Sequence, residues 1–181
     1  MKNFMKYLLI MIIPLAVLLS RPVIPLITLE YGQEVKLSTV PVDPRDIFRG
    51  DHVVLRFAIE EVDQEVVSPG LLSKINDKER YMGEDIKVYV TLKPDDKGIY
   101  RAILVSDKSP VDDIYVRGVI ENNSRRGDIV INYGNNLSRF YVKENTGLEL
   151  EEAARKGQVL AVAKVWKGFI VLDTIEKQIT N

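Results

Sequence analysis

The chain has 181 residues, with 25 Lys and Arg against 26 Asp and Glu, a single His and no Cys. The missing cysteine excludes disulfides, thiol nucleophiles, iron–sulfur clusters and thiolate zinc sites, and a single imidazole excludes a two-histidine metal site. A net charge of -1 lacks the positive excess typical of a nucleic-acid-binding domain, so no nucleic-acid partner is expected. The length fits one domain with a short appendage.

The first 29 residues are nearly free of charge. Residues 7–19 contain no charged side chain, and Arg21 is the only charge between that run and residue 30. We predict a helix over residues 3–20 and assign residues 1–29 to a membrane anchor. The uncharged run alone spans only ~20 Å, short of the ~30 Å hydrocarbon core of a bilayer. Pro14 predicts a kink within the helix. Pro22 and Pro25 disfavour a continuous helix beyond residue 21.

Three interpretations of this segment stay open. A retained anchor is favoured because residues 18–21 are a poor match to the small-residue site at which signal peptides are cleaved. A cleaved signal peptide would have the same charged start and short apolar run, and a buried soluble helix would need a polar face. Lys2 and Lys6 favour an inside N-terminus. We therefore predict a single-pass protein of the cell membrane whose domain, residues 30–181, is extracytoplasmic.

Period-two alternation dominates residues 30–181. Residues 86–92 alternate apolar and polar, and after a turn residues 99–105 return as the second strand of a predicted hairpin. A second hairpin is predicted over 159–166 and 169–172, where Lys167-Gly168 joins the two strands, since glycine supplies the positive φ of a two-residue turn. Further strands are predicted over 34–40, 52–60, 114–120, 128–133 and 139–142. Trp166, beside the second turn, is interpreted as a packing residue.

Little helix is predicted in this domain. Thr146 and Glu149 have capping-box spacing before a helix over 148–156, and Ser68-Pro69 is typical of the start of a shorter helical turn. Many strands at short spacing indicate a mainly β fold, an antiparallel sandwich or partly open barrel with one short helix.

A charged cluster occupies residues 41–51 and leads into a predicted strand. It is interpreted first as a network of Arg–carboxylate pairs that fixes the turn, second as a binding surface, and third as a catalytic site. A cation site of oxygen ligands is disfavoured by the two arginines and by spacing unlike an EF-hand loop. Neither a metal nor a cofactor is predicted. The candidate site residues are Asp43, Arg45, Asp46, Arg49, Gly50, Asp51, His52, Leu55 and Phe57.

Residues 42–57 resemble the GDYXXLXY family, whose corresponding segment runs approximately VDPRDxxRGDYxxLxY. His52 and Phe57 stand where the family has its two tyrosines. A looser similarity follows at Tyr133-Gly134 and over residues 140–149. The family is a group of bacterial membrane-anchored proteins, so the resemblance implies a tethered domain and does not imply an activity. Family members often accompany a multi-pass membrane protein, which implies such a partner.

A hydrolase is the alternative function. Signal-peptidase-like serine proteases are also membrane-anchored β domains, and they pair a serine nucleophile with a lysine base. Residues 40–44, where such a serine would stand, contain none. A hydrolase of another kind would require Asp46, Asp51 and His52 to converge in a cleft. We therefore predict a non-enzymatic binding or accessory domain for another membrane protein.

Overall fold

The structure is a computed structural model that describes residues 2–40, 52–54, 56–77, 85–120, 129–134, 137, 139–141 and 159–177. The predicted helix over 148–156 lies outside these residues. The strands, in chain order, are β1 (Gln33–Val40), β2 (His52–Val54), β3 (Arg56–Phe57), β4 (Glu61–Val62), β5 (Ile86–Pro94), β6 (Tyr100–Ser106), β7 (Tyr115–Ile120), β8 (Ile129–Asn132), β9 (Arg139–Tyr141), β10 (Val159–Trp166) and β11 (Phe169–Lys177). The helices are α1 (Lys2–Ser20), α2 (Val23–Tyr31) and α3 (Pro69–Asn76), with a 3₁₀ turn at Gln64–Val66.

The N-terminal segment forms two helices in succession. Helix α1 confirms the predicted helix, and Pro14 lies inside it. Helix α2 differs from the expectation that Pro22 and Pro25 disfavour a helix in this stretch. Pro22 occupies the N-cap, and Pro25 falls in the first turn, where a backbone N–H has no intrahelical partner to lose. The first helical bond runs from the N–H of Leu26 to the carbonyl of Pro22, 3.0 Å away.

Together the two helices give one segment that is long and apolar enough to cross a membrane, Ile10–Tyr31. Its 22 residues correspond to about 33 Å of helix, compared with ~30 Å for the hydrocarbon core. Its apolar side chains point away from the protein core, and Leu18 is 67% exposed. By length, composition and exposure the segment is therefore a candidate membrane span.

Two antiparallel sheets form the body of the domain. The first has the strand order β11-β10-β1-β3 and the second β4-β8-β7-β5-β6, while β2 and β9 form a separate pair. Parallel bridges from Lys36 to Ile99 and from Val116 to Gly168 join the two sheets into a half-barrel. The predicted mainly β, antiparallel fold is thereby confirmed. The core lies between the inner faces, and its fully buried side chains include Val35, Leu37, Val88, Val90, Val116 and Ile131.

Both predicted hairpins are present. β5 pairs with β6, and β10 pairs with β11 up to the last pair, Trp166 and Phe169. Lys167 and Gly168 between them both have positive φ, 47° and 79°. Positive φ at both central residues makes the turn follow the twist of its strands.

The predicted strand over 52–60 is wrong in its extent. The pairing partner changes within it, because β2 pairs with β9 whereas β3 pairs with the end of β1. Residues 58–60 then form a turn, and β4 pairs with β8. The last strand, β11, runs five residues past its predicted end at Leu172. The described ends of the other predicted strands agree with the prediction to within two residues. Ser68-Pro69 does begin a helix, α3, with proline in its first turn.

Candidate functional site

The structure describes part of the predicted site. Seven of the nine predicted residues lie outside the described ranges: Asp43, Arg45, Asp46, Arg49, Gly50, Asp51 and Leu55. The backbone of His52 begins β2, and Phe57, 1% exposed, belongs to the core. Phe57 therefore acts through packing. The convergence that a hydrolase would need involves Asp46 and Asp51 and stays a prediction.

The two sequence motifs are neighbours in the fold. Strand β2, from the first motif, pairs antiparallel with β9, from the second, so that His52 lies opposite Tyr141. Hydrogen bonds also join the turn that follows β3 to residues 131–133. The hydroxyl of Tyr133 donates a 2.7 Å hydrogen bond to the carbonyl of Ile59, and the N–H of Ile131 donates to the carbonyl of Glu60 at 2.8 Å.

An open groove of about 710 Å³ lies at one edge of β7. β8 pairs with β7 only at Val119 and Ile120. Further along the same edge the N–H of Arg117 donates instead to the carbonyl of Gly168, 2.8 Å away, at the tip of the β10–β11 hairpin. The space between the end of β8 and this tip is the groove. Its lining includes Asp85, Lys87, Tyr89, Arg117, Asn132, Tyr133 and Phe169.

Gly118 shapes one wall of the groove. A Cβ built on it would lie 2.4 Å from Cγ2 of Ile131 and 3.3 Å from Cδ1 of Tyr133. Any side chain at this position would therefore push against the strand beside it. The absence of one lets the ring of Tyr133 lie across β7 while its hydroxyl reaches Ile59.

Two cations stand together on the outer surface of the sheet beside the groove. Lys87 pairs with Val119, and Arg117 pairs with Tyr89, so the two basic side chains lie diagonally on one face of β5 and β7. Diagonal neighbours of this kind are roughly 7–8 Å apart. Both are exposed, and within the described part of the chain neither makes a salt bridge. Among the described lining residues Asp85 is the one carboxylate, so the part of the lining that the structure describes has an excess of one positive charge.

A half-buried acid, Glu60, interacts electrostatically with Tyr133. Burial raises the pKa of Glu60 to about 7, against the opposing effects of a hydrogen bond to the backbone of Phe57 and the charge of Arg56. Burial, with the nearby charge of Glu60, also raises the pKa of Tyr133 well above its ordinary value. The Tyr133 phenol is therefore protonated near neutral pH, and its O–H group donates the hydrogen bond to the Ile59 carbonyl. Its hydroxyl acts there as a hydrogen-bond donor.

The arrangement can bind a ligand by charge and by contact with aromatic rings. Among the side chains that the structure describes, no three His, Asp or Glu residues come close enough to hold a metal ion. The edge-to-face contact of Tyr89 with Tyr115, at 5.7 Å between ring centroids, places one tyrosine of the lining against a neighbour. This contact restricts the Tyr89 ring on the groove side.

Sequence reasoning named Tyr133-Gly134 as a motif and missed the other groove residues. Lys87 and Arg117 look in the sequence like ordinary solvent-facing residues of alternating strands. The register of β5 on β7 brings Lys87 and Arg117 together. The contact of Gly168 with β7 forms one boundary of the groove beside them.

Comparison with known proteins identifies the family. The family model described as GDYXXLXY protein matches residues 14–175, nearly the whole chain, and confirms the resemblance seen in residues 42–57. No curated protein and no solved structure matches the chain.

Proposed function

We propose that this chain, which belongs to the GDYXXLXY family, is a membrane-anchored, non-enzymatic binding domain accessory to a multi-pass membrane protein. The groove beside β7 is the surface that holds the partner. The domain is extracytoplasmic, and the apolar segment Ile10–Tyr31 tethers it to the cell membrane in a single pass.

The observation that carries the proposal is the pair of cations at the groove. Lys87 and Arg117 are exposed on one face without a described salt-bridge partner, so their attraction is available to a ligand. A guanidinium binds a carboxylate in a bidentate geometry, and an ammonium supports it as a point charge. The partner segment that fits is therefore an acidic extramembrane loop or terminus.

The anchor supports a partner within the same membrane. A domain held within a short distance of the bilayer meets other membrane proteins at a high effective concentration, which compensates for a modest affinity of the groove. An open groove with few charged contacts suits such a weak, tethered association.

Site-specific photo-crosslinking tests the proposal. A photoreactive amino acid at Val119, which lines the groove, is compared with one at Leu104, which is 43% exposed on β6. We expect the probe at 119, in intact cells, to capture one multi-pass membrane protein that the probe at 104 does not capture. Equal capture from both positions, or capture of only water-soluble proteins, would contradict the proposal.

A further inference from the structure

We infer that the tip of the β10–β11 hairpin, Trp166 and Lys167, is a second membrane contact that sits in the headgroup region of the bilayer crossed by the N-terminal helices. The inference rests on the membrane anchoring proposed above. It concerns a different surface from the groove, and its occupant is the lipid interface itself.

The first observation is that no linker separates the anchor from the domain. Gly32 is extended and follows α2 directly, and the next residue, Gln33, already pairs with Val165 in β10. A Cβ built on Gly32 would lie 3.0 Å from Cβ of Lys164 and 3.1 Å from the backbone nitrogen of Val165. The end of the helix therefore touches β10 one residue before Trp166.

The second observation fixes the depth of this contact. Thr28 is 0% exposed although it lies within the apolar segment, and α2 packs on β10 and β11. The Thr28 hydroxyl donates a 2.8 Å hydrogen bond to the carbonyl of Ile24, so this buried polar group has its partner within the helix. Thr28 stands one turn, ~5 Å, before the end of α2. The domain surface that covers Thr28 must therefore reach the level of the last turn of α2. At that level the apolar segment, about 33 Å long, leaves the hydrocarbon core.

The third observation is the chemistry of the tip. The ammonium of Lys167 lies 4.8 Å from the centre of the Trp166 ring, and Lys167 is exposed while Trp166 is half-buried. Tyr31, at the end of the helix, is 74% exposed. Indole and phenol rings concentrate at membrane interfaces, and lysine extends its ammonium to the headgroups, where anionic lipids attract it.

Two contacts at one end of the sheet hold the domain in a fixed orientation on the membrane. Gly168 and Phe169, which follow Lys167, line the groove. The groove is consequently held beside the membrane surface, at the height of the first residues of a partner's extramembrane loop.

The chain itself provides the probe, because Trp166 is its only tryptophan. The full chain is reconstituted into vesicles of zwitterionic and anionic phospholipid that carry bromine either near the headgroup or near the chain ends. We expect the shallow bromines to quench Trp166 emission at least twofold more than the deep ones. The control is the double variant Trp166→Phe, Glu176→Trp. Its indole, seven residues beyond Phe169 and ~23 Å along β11, is expected to escape both quenchers.

Alkaline extraction of the same vesicles separates the two proposals. If the chain resists extraction and Trp166 is quenched no more than the control indole, the second contact is refuted while the anchor stands. If alkali releases the chain, the anchor and the inference fall together. As a second variant, Lys167→Asn tolerates the positive φ of the turn and removes the charge. It should weaken shallow quenching more in anionic than in zwitterionic vesicles, and an equal effect in both would refute the role given to the charge.

Discussion

The hydroxyl of Tyr133 donates a hydrogen bond of 2.7 Å to the carbonyl oxygen of Ile59, 74 residues earlier in the chain. The bond ties the turn after the first motif to the residue that begins the second. The bond sets the position of the Tyr133 ring at the groove. Its acceptor, Ile59, lies in the turn of residues 58–60 that connects β3 to β4. The two parts of the sequence that mark the family are therefore joined beside the candidate site.

Replacement of Tyr133 by Phe should lower the free energy of unfolding by about 1–3 kcal/mol, because the carbonyl of Ile59 loses its donor. Urea denaturation of the full chain in mild detergent measures the change. The control is Tyr89→Phe, since the hydroxyl of Tyr89 makes no hydrogen bond to a described residue, and it should cost under ~0.5 kcal/mol. Equal losses in the two variants would disprove the role of the bond.

Gly118→Ala should destabilise the domain by about 1–3 kcal/mol, since the new methyl would overlap Cγ2 of Ile131 at 2.4 Å. Gly70→Ala is the matched control. No atom lies within 4 Å of a Cβ at Gly70 in helix α3, and alanine there should be neutral or stabilising by up to ~1 kcal/mol. A thermal or urea midpoint for Gly118→Ala at or above that of the original chain would show that the wall of the groove is not tightly packed.

The two hairpin glycines allow backbone strain to be separated from contact. Gly98 and Gly168 both have positive φ, 74° and 79°. A Cβ at Gly98 meets nothing within 4 Å, whereas one at Gly168 would lie 2.5 Å from Cε2 of Tyr115. Alanine at Gly98 should cost ~1 kcal/mol of strain, and alanine at Gly168 should cost at least ~1 kcal/mol more. Equal unfolding midpoints for the two variants would mean that the hairpin tip does not press on β7.

Glu60 should make stability depend on pH. Its pKa is raised from an ordinary 4.5 to about 7, so the folded state binds the proton more tightly than the unfolded state. The stabilisation is complete below about pH 4.5 and is lost as the pH rises through about 7. Glu60→Gln should therefore raise stability at pH 8, by at most ~3 kcal/mol, and change it little at pH 4.5.

Unfolding midpoints of the original chain and Glu60→Gln at the two pH values measure this difference. Glu65→Gln is the control, because that side chain is exposed and is not among the charges that act on Glu60. A Glu60→Gln variant whose stability differs from that of the original chain by the same amount at both pH values would contradict the raised pKa of Glu60.

The hairpins could be predicted from sequence because their determinants are local. Alternation over residues 86–92 and the dipeptide Lys167-Gly168 specify strands and turn without reference to distant residues. The second helix is not evident from residue type alone, because proline disrupts the interior of a helix but is tolerated at its start. At the N-cap and in the first turn of α2 it removes no helical hydrogen bond.

The groove could not be predicted, since it depends on contacts between segments far apart in sequence. Lys87 and Arg117 come together through the register of β5 on β7, and the space beside them exists because Gly168, some 50 residues later, bonds to Arg117. The pattern of a strand shows which residues share a face and not which strand lies next to it.

Charge reversal at the groove tests the central claim most directly. The full chain with Lys87→Glu and Arg117→Glu is compared with a chain that carries Lys93→Glu and Lys108→Glu, two exposed lysines that do not line the groove. Each chain is purified in mild detergent, and the multi-pass protein captured from position 119 is quantified. The account predicts at least a tenfold loss of that protein with the first pair and no loss with the second. Equal recovery with both pairs would contradict it.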